Sequence, residues 1–202
     1  MGMILLLNPE RFFMHKLVSR IFALFFISLL FGCNQISQYS LTEKSINNYL
    51  ETHTQNASRS FSLNGLVDAD LSLNNLNTKI GRGEPGQITL TGNALFAVSS
   101  LLGKQDANLQ VTINARPEFD PVKGAVYLRD LELADYDLKT SQGAVKNVKT
   151  FIPFLNKALQ IYFNDQPVYV LNPENSALEA TAQKLAKGIE VKEGKLVFAF
   201  IK

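Results

Sequence analysis

Between Val67 and Leu138 apolar and polar residues alternate, and the alternation changes phase several times. Alternation puts successive side chains on opposite faces of an extended chain, so each run predicts a strand with one dry and one wet face. Val67, Ala69, Leu71 and Leu73 share one parity, and Leu76, Thr78 and Ile80 carry the other. An extra residue at Asn74-Asn75 accounts for the change, and such a bulge bends a strand and increases its twist. Ile88, Leu90, Ala94, Phe96 and Val98 form the next run. Gly92 lies inside it, where a bend or a close backbone approach is expected. Ala107 to Ala115 is a third run, expected to stop at Pro117. The pairs Val126/Leu128, Leu131/Leu133 and Tyr136/Leu138 shift phase twice more. Long, bent, neighbouring antiparallel strands predict a strongly curved sheet.

The period then changes. From about Gln142 to Phe163, Val145, Val148, Ile152, Leu155, Leu159 and Phe163 share one helical face, and Phe151, Phe154, Ala158 and Ile161 a second. A helix apolar over most of its circumference is buried on several sides. Pro153 is expected to kink or restart it, because proline removes one donor and crowds the preceding turn. Such a helix packs the core. It would also be placed to line an apolar groove against the sheet through Val148, Ile152, Leu155, Leu159 and Phe163.

Shorter elements flank these. Ser40-Leu41-Thr42-Glu43 fits a capping box ahead of Ile46, Tyr49, Leu50 and His53. Ser176 with Glu179 fits a second, ahead of an apolar face of Leu178, Ala182, Leu185 and Ala186, with Gly188 as the stop. Val168–Leu171 reads as a strand, and Ile189–Lys192 and Leu196–Ile201 read as extended around Glu193-Gly194. The expected class is α+β: a long helix packed in a highly curved antiparallel sheet, with short additional helices, as one domain over residues 41–202.

Residues 1–32 differ in kind. Arg11, Lys16 and Arg20 precede the apolar run Ile21–Phe31, and Gly32-Cys33 follows at once. A basic start, a short apolar centre and a small residue at the cut describe a secretory signal. The run is about 11 residues long, against roughly 20 for a spanning helix. Met14 is the better-placed start, since Met14-His15-Lys16 opens a compact signal. Cys33 is either an ordinary buried thiol or the acylated first residue of the mature chain. Leu30-Phe31-Gly32-Cys33 resembles the lipobox of bacterial lipoproteins, departing from it at Phe31, and favours acylation, with residues 33–40 as a lipidated linker. Asn34 stands where inner-membrane retention would favour Asp. By resemblance to the Gram-negative sorting rule, this implies the outer membrane and a periplasm-facing domain.

Chemistry is sparse beyond residue 33. The first 32 residues hold three of the 20 Lys and Arg and one of the 18 Asp and Glu, so the remainder is formally neutral. A neutral chain without basic clusters offers no electrostatic footprint for nucleic acid. The remainder has one histidine, His53, expected to pack or cap a helix, and no second cysteine for a disulfide. That is too few ligands for a zinc site. Asp68/Asp70 and Asp135/Asp137 each share a strand face, which suits a solvated surface better than half of a calcium or glycosidase site. No nucleophile elbow or phosphate loop is present. No enzyme, cofactor or metal is expected.

Several stretches resemble the YceB-like lipoproteins of Gram-negative bacteria. They include Cys33-Asn34-Gln35, Tyr39, Thr42-Glu43, Ile46-Asn47, Ile80-Gly81-Arg82, Glu84-Pro85, Leu90-Thr91-Gly92 and Lys123-Gly124-Ala125. The most specific are Pro153–Leu171 and Lys184–Lys192. The resemblance covers nearly the whole chain after the lipobox. It implies a fold of the tubular lipid-binding (TULIP, or BPI-like) class, whose similar members hold lipids between helix and sheet. It supplies no activity, ligand or protein partner. Two functions follow as expectations: a lipid-anchored protein that binds a lipid or other apolar ligand, or a structural or interaction lipoprotein with a filled core.

Overall fold

The computed structural model describes residues 38–54, 58–63, 67–100, 103–140 and 148–200. In chain order the elements are β1 (Ser40–Thr42), α1 (Glu43–Thr54), β2 (Ser58–Leu63), β3 (Val67–Ile80), β4 (Ile88–Ser100), β5 (Gly103–Asp120) and β6 (Ala125–Thr140). Then come α2 (Val148–Asp165), β7 (Tyr169–Val170), α3 (Ala177–Leu185), β8 (Gly188–Lys192) and β9 (Lys195–Ala199). Strands β2 to β7 form a six-stranded antiparallel meander in sequence order, and β1, β9 and β8 form a three-stranded sheet.

The bends fall close to where alternation breaks. In β3 the buried set passes from Ala69, Leu71 and Leu73 to Leu76, Thr78 and Ile80, across a register shift between Asn74 and Asn77. Asn75 takes φ 53° there, a left-handed conformation that asparagine tolerates. Gly92 lies opposite this bulge. A Cβ on it would stand 2.6 Å from Leu76 Cδ2 and 3.1 Å from the Asn74 carbonyl oxygen, so only glycine leaves room. Between β5 and β6 there are three register shifts rather than the two expected, and Asp130 takes φ 49°. Pro117 does not stop β5, which continues to Asp120 with Pro117 paired to Leu128. The β4 ladder has already ended at Ile88–Ala115, so the missing N–H costs no bond to that neighbour.

The bends curl the sheet around α2. This helix packs on β6 and also on β2 and β3. Four strand spacings separate β2 from β6, about 19 Å if flat, whereas a helix with its side chains is about 10 Å across. One helix touches both only because the sheet wraps it. On the β2 side, Arg59 donates to Gln166 Oε1 at 2.6 Å and lies 5.1 Å from the Tyr162 ring centroid. On the β6 side, β7 pairs only with Ala125 and Val126, and helix side chains serve part of the edge beyond it. Leu133 N donates to Asn156 Oδ1 at 3.1 Å, Gln160 Nε2 donates to the Leu131 carbonyl at 3.2 Å, and Arg129 donates to Asn164 Oδ1 at 2.9 Å. Capping an edge in this way keeps its amides from pairing with another chain.

Helix α1 does the same for β3 beyond the end of β2. Glu43 Oε1 accepts from Ile80 N at 2.8 Å and Arg82 Nε at 2.9 Å, and Asn47 Oδ1 accepts from Thr78 N at 2.8 Å and from the Thr78 hydroxyl. Glu43 is thereby unavailable for the expected capping box. Ser40 lies in β1, and Thr42 Oγ1 caps α1 by accepting from Ser45 N at 3.3 Å. Of the second capping box only the serine half forms, with Glu179 N donating to Ser176 Oγ at 3.1 Å, because the Glu179 carboxylate is taken by Tyr169 and Asn172. The face of α3 differs, however: Glu179, Ala182 and Ala186 are buried while Leu178 and Leu185 are exposed. Helix α3 ends at Leu185 with Ala186 as cap, and Gly188 opens β8. In the β8–β9 turn Gly194 takes φ 75°, which glycine adopts at no steric cost.

Candidate functional site

Helix α2 decides what the interior offers. Leu155, Leu159 and Phe163 are 0% exposed, as is Ala158, and Tyr162 is 1% exposed. With no surface reachable by a water-sized probe, this part of the proposed groove is solid core. Tyr162 stands edge-on to Phe163 at 5.0 Å between ring centroids. It belongs to neither of the faces read from periodicity, since its ring is apolar but its hydroxyl scores as polar. Pro153 lies inside the helix, on its exposed side, and the helix runs through it. The side chain of Val148 and the predicted helical residues 142–147 lie outside the described residues.

Ile152 is different. It is half-buried, and so are Phe61, Val67, Tyr136, Leu138 and Phe154, all packed against the same core. Register sets them at different levels of the sheet, Phe61 in line with Val98 and Gln105 and Leu138 in line with Ala94 and Leu73. Phe61 pairs with Ala69 beside the β2–β3 turn, and Leu138 lies near the end of β6. Asn156 holds α2 to Leu133, so Ile152, one turn earlier, falls beside the β6 residues that follow Leu133. The side chains named above are less completely buried than Leu155, Leu159 and Phe163. One end of the core is closed by β8, β9 and α1: Phe198 meets Phe119 at 5.1 Å and Tyr39 at 5.3 Å, and Leu41, Ile46 and Leu50 are fully buried.

The remaining candidates are placed individually. His53 is exposed, stacked on Tyr49 at 4.0 Å, with Nδ1 2.9 Å from the Tyr49 carbonyl oxygen. It finishes the last turn of α1 rather than lying on its buried side. Asp70 accepts from Ser60 Oγ at 2.6 Å, and Asp135 accepts from Tyr136 N at 2.9 Å. No group of three His, Cys, Asp or Glu gathers among the described residues. Cys33 lies outside them. Sequence reading gave one charged residue only a capping role and missed its burial. Glu179 is 3% exposed and accepts from Tyr169 Oη at 2.8 Å and Asn172 N at 3.0 Å. Burial, followed by hydrogen bonding to Tyr169, pushes the Tyr39 hydroxyl far above its ordinary range.

A long helix seated in a curved antiparallel meander, closed at one end by a small sheet, defines an α+β protein whose core side chains near Ile152 are only partly buried. Residues 41–195 match the family described as "Protein of unknown function (DUF1439)". The "Uncharacterized lipoprotein YceB" of Escherichia coli K12 is 45% identical over 178 residues, 88% of this chain and 95% of that protein. Its namesake in Salmonella typhimurium LT2 is 44% identical over the same shares. The chain belongs to this family of YceB-like lipoproteins. A solved structure titled "Crystal structure of lipopolysaccharide binding protein" aligns with a TM-score of 0.29 at 15% identity, over 80% of this chain and 48% of that one. The chain thus spans about half of that protein's length.

Proposed function

We propose that this is an outer-membrane lipoprotein of the TULIP-like class, anchored through acylated Cys33 and facing the periplasm, that takes an acyl chain or similar apolar group between α2 and the sheet. What supports this reading is that Ile152, Phe154, Tyr136 and Leu138 each stay only partly buried where they pack against the core. Leu155, Leu159 and Phe163 are the floor of the site, and entry is beside Ile152. An apolar chain laid there would remove surface from water at about 25 cal/mol per Å². The reading assigns the protein no catalytic step, metal or cofactor.

A photo-crosslinking residue at position 152 or 154 tests it in intact cells. Lipid adducts are expected at both positions and not at Val122, which is 93% exposed. Equal yields at all three positions, or none, would refute apolar binding at this end. The full burial of Leu155, Leu159 and Phe163 favours a second reading, a structural or interaction lipoprotein with a filled core. That reading expects a protein adduct at position 152 instead. The anchor has a separate test: Cys33→Ala should leave an unprocessed or soluble product, and normal processing with membrane retention would overturn it.

A further inference from the structure

A second concavity, of about 680 Å³, opens between α1, β7 and the turn after β7. Its volume falls within the roughly 300–1,000 Å³ usual for small-ligand sites. Its lining has no Asp, Glu, Lys or Arg and only one aliphatic residue, Val170. Phosphates and carboxylates would find no counter-charge there, and an acyl chain would find little apolar wall.

The lining instead combines aromatic rings with uncharged hydrogen-bonding groups. Tyr49 lies between His53, stacked at 4.0 Å, and Tyr169, tilted at 5.3 Å. The His53 ring is exposed, and among the described residues its ring contact is with Tyr49. Its Nδ1 lies 2.9 Å from the Tyr49 carbonyl oxygen and 2.8 Å from Thr52 Oγ1; in the tautomer whose Nδ1–H donates to that carbonyl, Nε2 is an acceptor. No described residue hydrogen-bonds the Asn48 side-chain amide. The Asn172 Oδ1 accepts from Glu174 N, leaving its NH2 group for a ligand. The floor is rigid. Buried Glu179 holds both the Tyr169 hydroxyl and the Asn172 backbone amide, so one carboxylate sets the ring and the rim.

We propose that this cleft binds an uncharged saccharide, with the Tyr49–His53 stack facing a sugar ring and Asn48 and Asn172 hydrogen-bonding its hydroxyl or acetamido groups. Rings with apolar faces and hydroxyl edges match aromatic surface flanked by free amides, and the absence of lining charge selects for neutral sugars. Glu179 is a positioning residue, away from the ligand. The site is independent of the apolar end beside Ile152.

The test uses the processed, lipid-anchored protein in phospholipid nanodiscs, with chitotriose and maltotriose as probes read by saturation-transfer NMR. At least one trimer should bind, and the preferred one shows whether acetamido groups are read. Asn48→Leu and His53→Ala should each weaken binding about five- to tenfold, the size of one uncharged hydrogen bond or ring contact. Both positions are exposed, so Asn48→Leu should leave the melting temperature unchanged and His53→Ala, which also loses its contact to the Tyr49 carbonyl, should lower it by no more than about 2–4 °C. Failure of both trimers to bind, binding unchanged by both variants, or occupation of the cleft by an uncharged tetrapeptide in their place would overturn the proposal.

Discussion

Glu179→Ala should destabilise the fold far more than a nine-residue surface helix would suggest. The carboxylate is 3% exposed and the ring it holds, Tyr169, is 7% exposed. Truncation strands the Tyr169 hydroxyl and the Asn172 amide. A stranded buried donor costs about 1–3 kcal/mol. Asn172 is exposed, so its amide turns to water and contributes little, whereas the Tyr169 hydroxyl has only Tyr39 and Asn175 to turn to. The expected loss is about 1–3 kcal/mol, or roughly 2–12 °C in Tm for a domain of this size. Glu179→Gln keeps the volume and one acceptor oxygen and should cost about 1 kcal/mol. Tyr169→Phe removes the other end of the bond, so a double-mutant cycle with Glu179→Ala should show coupling of about 1–3 kcal/mol. Urea unfolding followed by circular dichroism measures all four proteins. A Glu179→Ala loss below about 0.5 kcal/mol, or strict additivity with Tyr169→Phe, would refute the view that this carboxylate ties α3 to β7.

Other expectations follow from the packing. Leu159→Ala should cost about 2–5 kcal/mol and Ile152→Ala about 1 kcal/mol, because only the first opens a cavity in solid core; equal losses in urea melts would erase the distinction between floor and entrance. Gly92→Ala should cost about 1–3 kcal/mol, since Leu76 can turn aside but the Asn74 carbonyl is backbone, and an unchanged Tm would deny the close approach. Desolvation pushes the Glu43 carboxyl up, but the Ile80 amide and the Arg82 guanidinium outweigh it and hold it below its usual value. A lowered folded value means that stability is fully present above the unfolded pKa and is lost as pH falls through the folded one. Urea midpoints taken from about pH 6 to about pH 3 should therefore fall less steeply in Glu43→Gln than in the parent; parallel curves would contradict this.

Local patterns along the chain specify the kind and course of most elements. The β3 bulge at Asn74-Asn75, the Ser176 cap and the apolar character of α2 are local, because side-chain alternation and caps are set within a few residues. Charge, cysteine placement and the run before Cys33 were equally legible. Tertiary structure decided who serves each exposed edge. Glu43 left its expected cap for Ile80 and Arg82, and Asn156 and Gln160 completed the edge of β6. Pro117 stayed inside a strand because its neighbour had already ended. The burial of Glu179 and Tyr162 and the exposure of Leu178 and Leu185 went against hydrophobic pattern for the same reason. Pattern records which way a side chain points, while burial depends on what the distant chain brings to meet it. The saccharide cleft is of that second kind, assembled from α1 and β7, more than a hundred residues apart.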